Sequence, residues 1–287
     1  SLILIEKKPV LGIISMYFHP EPYVIGMEFC TFFVERGYDV VVICPVPNYP
    51  DGEWYPGFDK RGSFDCPIRG VTVIRVPIYM YRGHGFIKRF LSYISYVRNV
   101  KHLFLRDKSV GPFHNSILVC GPSVLLLLFP TLKKLTITSP VLVCQDIWPD
   151  CFYGAFPASV RFKWVIDFVH RLLFSRVEKA LVLGRGGAKS FAKFARRCVV
   201  VDFSNWVVSG AVRKGKLSRV DLESFNTRRK RILYAGAFGK AQEIPRLIRR
   251  IGGSCVLQQF DWTFVGRGDH WEACKVMAAD IPSIEVV

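Results

Sequence analysis

RILYAGAFGKAQEIPRLI, running from Arg231 to Ile248, decides how the chain is read. Ile232 to Ala235 is a short apolar run, a loop with Gly236 and Gly239 follows, and Ile244, Leu247, Ile248 and Ile251 then recur at helical spacing. The order is strand, glycine loop, helix. Such a turn is expected to expose backbone N–H groups at the positive end of a helix dipole, with Lys240 placed to add a full charge, so the loop is built like an anion site. An ordinary tight turn is the alternative. Roughly 230 residues precede it and already hold a complete alternation of strands and helices, so the stretch is expected to open a second domain.

A chain of 287 residues, 50% of them hydrophobic, can bury a sizeable core and predicts roughly two domains of about 150 residues. The formal net charge of +17 favours anionic partners of any kind: nucleic acid, nucleotide phosphates or acidic lipid headgroups. Nine cysteines include no C-x-x-C pair and no His spacing that completes a four-ligand set, which argues against structural zinc. Cys44, Cys120, Cys144 and Cys255 lie in apolar runs, the usual setting of buried free thiols, and a reducing cytosol is expected. No charged, apolar and small-residue pattern follows Ser1, so no export signal is expected there. Residues 115–132 are uncharged and about as long as the shortest bilayer-crossing helix. Gly121, Pro122 and Pro130 interrupt them, and a buried strand, a Gly-Pro turn and a buried helix account for the stretch better.

Val10 to Met16 reads as a buried first strand, with a helix from about Ile25 to Arg36, closed by Gly37, and a second strand at Asp39 to Cys44. Pro45 to Gly70 is a long Pro-, Gly- and Asp-rich loop with Tyr49, Trp54, Tyr55 and Phe58, of a length usually tied to function or mobility. Further strands are expected at Val71 to Val76, Ile117 to Cys120, Val141 to Cys144, Ala180 to Leu183 and Val199 to Val201. Helical patterns, among them Phe86 to Arg106 and Val160 to Arg176, separate most of them. Apolar strands alternating with helices predict a parallel sheet covered on both faces. Ser209 to Lys230 turns polar and basic and reads as a connection. Beyond it come Ile232 to Gly236 and its helix, a strand at Trp262 to Gly266, a helix near Trp271 to Ala279 and a strand starting at Ser283.

Several familiar sites are missing. In LGRGGAKS, Leu183 to Ser190, the phosphate-loop pattern fails at Leu183 and Ala188 and the dinucleotide fingerprint fails at Lys189, so a structural helix entry is the better reading. No D-x-D, H-E-x-x-H or G-x-S-x-G occurs, which removes the usual signatures of metal-clamped sugar transfer, zinc hydrolysis and serine-hydrolase chemistry. What remains are loops at the carboxyl ends of strands, where open parallel sheets bind ligands. YFHPEPYVIG, Tyr17 to Gly26, offers Tyr17, His19 and Glu21 to a polar ligand, or is a rigid turn with solvated side chains. QDIWPD, Gln145 to Asp150, sets Gln145 and Asp146 beside Trp148, an aromatic face suited to a sugar ring; helix capping by Asp146 is the alternative. The third is Gly236 to Gln242. The helix from Phe86 to Arg106 interleaves Lys88, Arg89, Arg98, Lys101 and Arg106 with apolar and aromatic residues, which suits either an anionic membrane surface or an ordinary solvated face.

Taken together, these loops resemble the retaining GT-B glycosyltransferases of the fourth sequence family, in particular the bacterial branch that builds capsule, O-antigen and exopolysaccharide. YFHPEP is similar to that branch's Y-F-P-P-E-P, and PNYPDGEWYPGF to its P-N-Y-P-x-G-x-x-Y-x-G-Y. QDIWPD resembles its Q-D-L-W-P-[DE], SNW at Ser204 to Trp206 its P-N-W, and YAGAFGKAQ its Y-A-G-N-x-G-x-x-Q. The matches run in order from the first strand onward.

The resemblance implies an α/β, GT-B type fold: an N-terminal Rossmann-like acceptor domain at 1–208, a basic linker at 209–230 and an incomplete Rossmann-like donor domain at 231–287. It implies a glycosyltransferase moving a sugar, with retention, from a nucleotide-sugar to a saccharide acceptor, often lipid-linked, in cell-surface polysaccharide synthesis. Asp146 and Gln145 would serve the catalytic centre; Gly236, Gly239, Lys240, Gln242 and Gly26 the donor; Tyr17, His19, Glu21 and Trp148 the acceptor. No cofactor and no metal are called for. The partners expected are the nucleotide-sugar, the acceptor and an anionic membrane surface, with no nucleic acid, at a cytoplasmic location on the inner face of the plasma membrane. A sugar-nucleotide epimerase of the same architecture, or an inactive binding relative, are the alternatives. Val24 stands where that family has a glycine, Ala237 replaces its Asn and Glu243 its Gly. Its E-x7-E motif lies beyond Val287, so the 287 residues are expected to transfer sugar poorly.

Overall fold

A computed structural model describes residues 8–21, 26–49, 52–58, 69–80, 86–205, 229–239 and 242–287. They fall into two compact units, one within Ser1–Tyr153 and Ala158–Val212, the other within Gly154–Pro157 and Arg213–Val287. Most of the expected connection at 209–230 lies outside the described residues.

The first unit is built on seven parallel strands: β1 (Val10–Ser15), β2 (Asp39–Pro45), β3 (Val71–Val76), β4 (Asn115–Cys120), β5 (Val141–Cys144), β6 (Lys179–Leu183) and β7 (Val199–Phe203), in the order β3-β2-β1-β4-β5-β6-β7. Between them lie α1 (Met27–Val34), α2 (Phe86–Arg106), α3 (Phe129–Leu135), α4 (Asp150–Ala155), α5 (Lys163–Phe174) and α6 (Gly184–Ala192), with 3-10 turns at Ser123–Leu128 and Pro157–Phe162. Strand side chains alternate between two cores. Ile14, Leu118, Leu142 and Val182 face one core, with Tyr96 of α2, Phe129 and Phe174. Leu11, Ile13, Val42 and Val119 face the other, with Cys30 of α1. Apolar residues at both parities are what a doubly covered parallel sheet requires, and that expectation holds.

Residues 115–132 form β4, the Gly121-Pro122 turn, the 3-10 turn and the start of α3, and among the described residues no helix is long and apolar enough to cross a membrane. Gly187, early in α6, packs directly on β6, where an added Cβ would lie 3.3 Å from Val182. LGRGGAKS is thus a close helix-on-strand contact. Cys255 departs from expectation: it is exposed in the turn after its helix, while Cys44, Cys120 and Cys144 are buried.

The second unit has three parallel strands, β8 (Arg231–Ala235), β9 (Asp261–Val265) and β10 (Ile284–Val286), in the order β10-β9-β8, with α7 (Ile244–Gly252) and α8 (Trp271–Ala278) between them. Ile244, Ile248 and Ile251 of α7 and Cys274 of α8 pack on Tyr234, Trp262, Phe264 and Ile284. Leu233 and Val265, on the opposite strand faces, are exposed. Both helices therefore cover one face of this sheet.

Gly12, in the middle of β1, shows how closely the first sheet is packed. A Cβ there would sit 2.9 Å from the ring of Phe113, which is fully buried and held at both sides by backbone bonds from Phe113 to Leu135 and from Ile137 to Phe113. Gly12→Ala is expected to destabilise the unit by about 1–3 kcal/mol through overpacking, read as a lower urea midpoint with unchanged slope.

Candidate functional site

The strand order reverses between β1 and β4, and the crevice at the carboxyl ends of such neighbours is where open α/β sheets bind ligands. Three adjacent strands, β1, β4 and β5, turn into their loops by the same device. The Ser15 hydroxyl donates to the Tyr17 carbonyl (2.6 Å), the Cys120 thiol to that of Pro122 (3.4 Å) and the Cys144 thiol to that of Asp146 (3.2 Å). Burial pushes the Cys144 thiol up to about 12 and that of Cys120 well above its ordinary value, so both keep the proton that they donate. This use of two cysteines goes beyond the inert thiols expected from the sequence.

Glu21 organises the β1 loop. Only 5% exposed, its carboxylate accepts the N–H of Phe18 (3.0 Å) and those of Asn48 and Tyr49 (2.9 Å each). Burial raises its pKa, against the lowering by these three donors and by Arg75. YFHPEP and PNYP are thus one piece of structure, since the first motif ties down the backbone of the second. Expected as an acceptor contact, Glu21 directs its oxygens at the protein's own amides. Arg75, at the end of β3 and missed in the sequence, donates to the carbonyls of His19 and Pro45 and to the Cys44 sulfur. It spans the three strand ends, and His19, exposed beside it, has its pKa lowered by burial and then by the Arg75 charge.

Tyr17 and Tyr49 place their rings 4.8 Å apart. With Asn48, Gly52, Ser92 and Tyr93 they bound a small cavity of about 10 Å³, close to the least space that holds one water. The Ser92 hydroxyl is buried there without a hydrogen-bond partner among the described residues. Along the same edge, Gln145 is half-buried, Asp146 reaches the surface, and the Trp148 ring lies 5.9 Å from that of Phe152. Neighbouring atoms surround the Asp146 carboxyl on enough sides for desolvation to raise its pKa. Gly26 precedes α1 as its N-cap, without a side-chain cap, and its carbonyl accepts the Cys30 N–H. Val24 lies outside the described residues.

In the second unit, Lys240 lies outside the described residues, and the glycine loop differs from the expected row of free amides. The Gly236 N–H donates to Val265, that of Phe238 to Arg267 and that of Gln242 to Gly239. Pro245, near the start of α7, has no N–H, and those of Arg246 and Leu247 both donate to the Glu243 carbonyl. A Cβ on Gly236 or Gly239 would meet only the far ends of side chains, the Tyr234 hydroxyl (2.9 Å) and Gln242 Oε1 (2.7 Å). The sequence signal that was missed is V-G-R-G after β9. Gly266 (φ +155°) and Gly268 (φ +149°) run backbone against backbone along this loop, where a Cβ would lie 1.8 Å from the Gly236 carbonyl oxygen and 2.8 Å from Phe238. Among the described residues, no group of three or more His, Cys, Asp or Glu side chains is placed to hold a metal ion.

Substitutions at two positions test these local accounts. Glu21→Gln keeps the shape but exchanges one acceptor oxygen for a donor that faces a backbone N–H. It should cost about 1–3 kcal/mol by chemical denaturation, while Glu21→Asp, too short to reach all three amides, should not restore stability. Glu243 sits at φ +49° and makes an exposed ion pair with Arg246. Since glycine tolerates that backbone and an exposed pair contributes little, Glu243→Gly should be neutral or stabilising by up to about 1 kcal/mol, whereas Glu243→Val should unfold at lower denaturant.

No protein-family model matches the chain, and no curated protein matches it by sequence. Solved structures do. A sucrose-phosphate synthase from Thermosynechococcus elongatus superposes with a TM-score of 0.66 at 11% identity, over 98% of this chain and 70% of the other. A UDP-glucosyltransferase from Polygonum tinctorium capable of glucosylating indoxyl gives 0.52 at 11% identity, over 98% of this chain and 72% of the other. UGT2 of Phytolacca americana, complexed with UDP-2fluoro-glucose and pterostilbene, gives 0.50 at 12% identity, over 98% and 71%. At such low identity the likeness speaks for architecture, and the architecture is the α/β, Rossmann-like fold of GT-B glycosyltransferases.

Proposed function

We propose that the chain is a nucleotide-sugar-dependent glycosyltransferase that moves a sugar, with retention, onto a lipid-linked saccharide acceptor in cell-surface polysaccharide synthesis. The observation that carries this reading is the ligand-side edge of the first sheet. There the loops of β1 and β2, joined through Glu21, and the loop of β5 bring Tyr17, Tyr49, Asp146 and Trp148 to the carboxyl ends of strands in a GT-B type fold. Aromatic faces beside a carboxylate suit a sugar ring, whose C–H surface stacks while its hydroxyls donate. The UDP-sugar bound by the Phytolacca americana structure supports a nucleotide-sugar as donor.

In this reading Asp146 and Gln145 serve the transferring sugar, and Tyr17, His19 and Trp148 line the acceptor side. The donor diphosphate would lie by Gly236, Gly239, Lys240 and Gln242 of the second unit. Charge builds on the leaving diphosphate as the glycosidic bond breaks, and Lys240 would neutralise it. Because five amides of the loop and the start of α7 are already committed within the protein, the lysine carries a larger share than a simple anion-binding helix end would leave it. A cytoplasmic location on the inner face of the plasma membrane belongs to the same reading.

Titration with UDP and other nucleoside diphosphates, together with transfer of radiolabelled sugar to a polyprenyl-diphosphate-linked saccharide, tests the reading. Asp146→Asn should leave nucleoside diphosphate affinity within about twofold and lower kcat by about 10- to 100-fold, the equivalent of a hydrogen bond to a charged group. Interconversion of free nucleotide-sugars without transfer would instead identify an epimerase. Absence of both activities in a chain that binds nucleotide would identify a binding protein.

A further inference from the structure

α5 is out of place in a fold whose helices exist to cover a sheet. Only His170 and Phe174 of its twelve residues are buried. Trp164, Val165, Phe168, Val169 and Leu172 form a continuous stripe at helical spacing that points away from the protein, with Trp164 76% and Phe168 65% exposed. The orientation is fixed from below. His170 Nδ1 lies 2.7 Å from the Ile166 carbonyl and must donate to it, leaving Nε2 to accept from the Ser123 hydroxyl at 2.9 Å. The helix therefore cannot roll its apolar stripe inward without breaking a buried pair.

The apolar surface extends beyond the helix. Between α5 and α2 lies a groove of about 410 Å³ floored by Leu127, Trp148 and Phe152 and walled by Phe90, Ile94 and Val169. Past it, the first turns of α2 expose Ile87 and Leu91. Cations surround this surface. Arg161 and Lys163 enter α5, and Arg171 joins Lys193, Arg196 and Arg197 around a further cavity of about 380 Å³. The single carboxylate of α5, Asp167, is bonded to the Tyr153 hydroxyl (2.7 Å) and paired with Lys163 (3.0 Å).

We propose that α5, with the first turns of α2, is an in-plane docking surface for a bilayer of anionic phospholipid. An apolar stripe led by an aromatic residue and bordered by Lys and Arg is the composition of a helix that lies at the headgroup boundary, with its cations on lipid phosphates. The charge selects this occupant over a second copy of the chain, which would bring the same cations face to face on a protein of net charge +17. The sequence pointed to α2 for this role. The structure transfers most of it to α5, because the middle and end of α2 bury Tyr96, Val97, Val100 and Phe104 in the core. The proposal concerns the surface of the first unit alone and stands whether or not the neighbouring site transfers sugar.

Co-sedimentation of the whole chain with vesicles rich in phosphatidylglycerol, against vesicles of phosphatidylcholine alone, tests it. Binding is expected only to the anionic vesicles and to weaken with salt. The double variant Trp164→Ser, Phe168→Ser should lose at least about tenfold in partition coefficient. Leu105→Ser, at a comparably exposed site at the other end of α2, should change nothing. Brominated lipid should quench tryptophan fluorescence in the unmodified chain, and Trp164→Phe should lose most of that quenching. This arm decides the matter even if the double variant fails to fold. Indifference to anionic lipid, full binding by a folded double variant, or unchanged quenching in Trp164→Phe would overturn the proposal. So would a dimer, seen by sedimentation equilibrium and abolished by the double variant, which would assign the stripe to a second copy.

Discussion

A buried carboxylate with three amide donors holds the carboxyl-terminal edge of the first sheet together. Removing Glu21 from water would be costly were its oxygens not filled, and Phe18, Asn48 and Tyr49 fill them. Because two of the donors lie across a gap in sequence of more than twenty residues, these bonds fix the β2 loop to the β1 loop, which the local turn bonds within each loop do not do. Arg75 reinforces the join from β3 through the carbonyls of His19 and Pro45. The aromatic pair Tyr17 and Tyr49 owes its contact to this clasp.

The neighbouring strands reach the same edge by a smaller version of the same logic. A donor at the last position of β1, β4 and β5 closes on the carbonyl two residues ahead, so each strand ends in a defined turn rather than a frayed one. In two of the three the donor is a thiol, kept protonated by burial. The second unit solves its own version by removing side chains: Gly266 and Gly268 let the β9 loop lie against the glycine loop with no Cβ between them.

The two units differ in how their apolar surface is disposed. The first buries both faces of its sheet except at the edge strand β7, where Val199 and Val201 are exposed, and it turns outward the apolar stripe of α5 and the first turns of α2. In the second, α7 and α8 share one face, and Leu233 and Val265 remain on the other. The stripe on α5 is bordered by cations and locked by a buried histidine, which distinguishes it from the bare strand face.

Much of the fold was legible from periodicity and punctuation. The first-sheet strands and the ends of α2 fall within about two residues of where their apolar runs and Gly or Pro boundaries put them, because the central parallel strands are buried on both faces and so are apolar throughout. The loops at the strand ends were visible as candidates, since Pro, aromatic and acidic residues cluster there against apolar flanks. Their partners were not. That Glu21 spends its oxygens on Asn48 and Tyr49, that Arg75 belongs to the same edge, and that Gly266 matters to Gly236 are long-range facts with no local trace. Nor could spacing tell an inward apolar stripe from an outward one. Helical periodicity gives α5 an apolar face, and the anchoring of His170 on Ser123, with Phe174 in the core, determines that this face meets the surroundings and not the sheet.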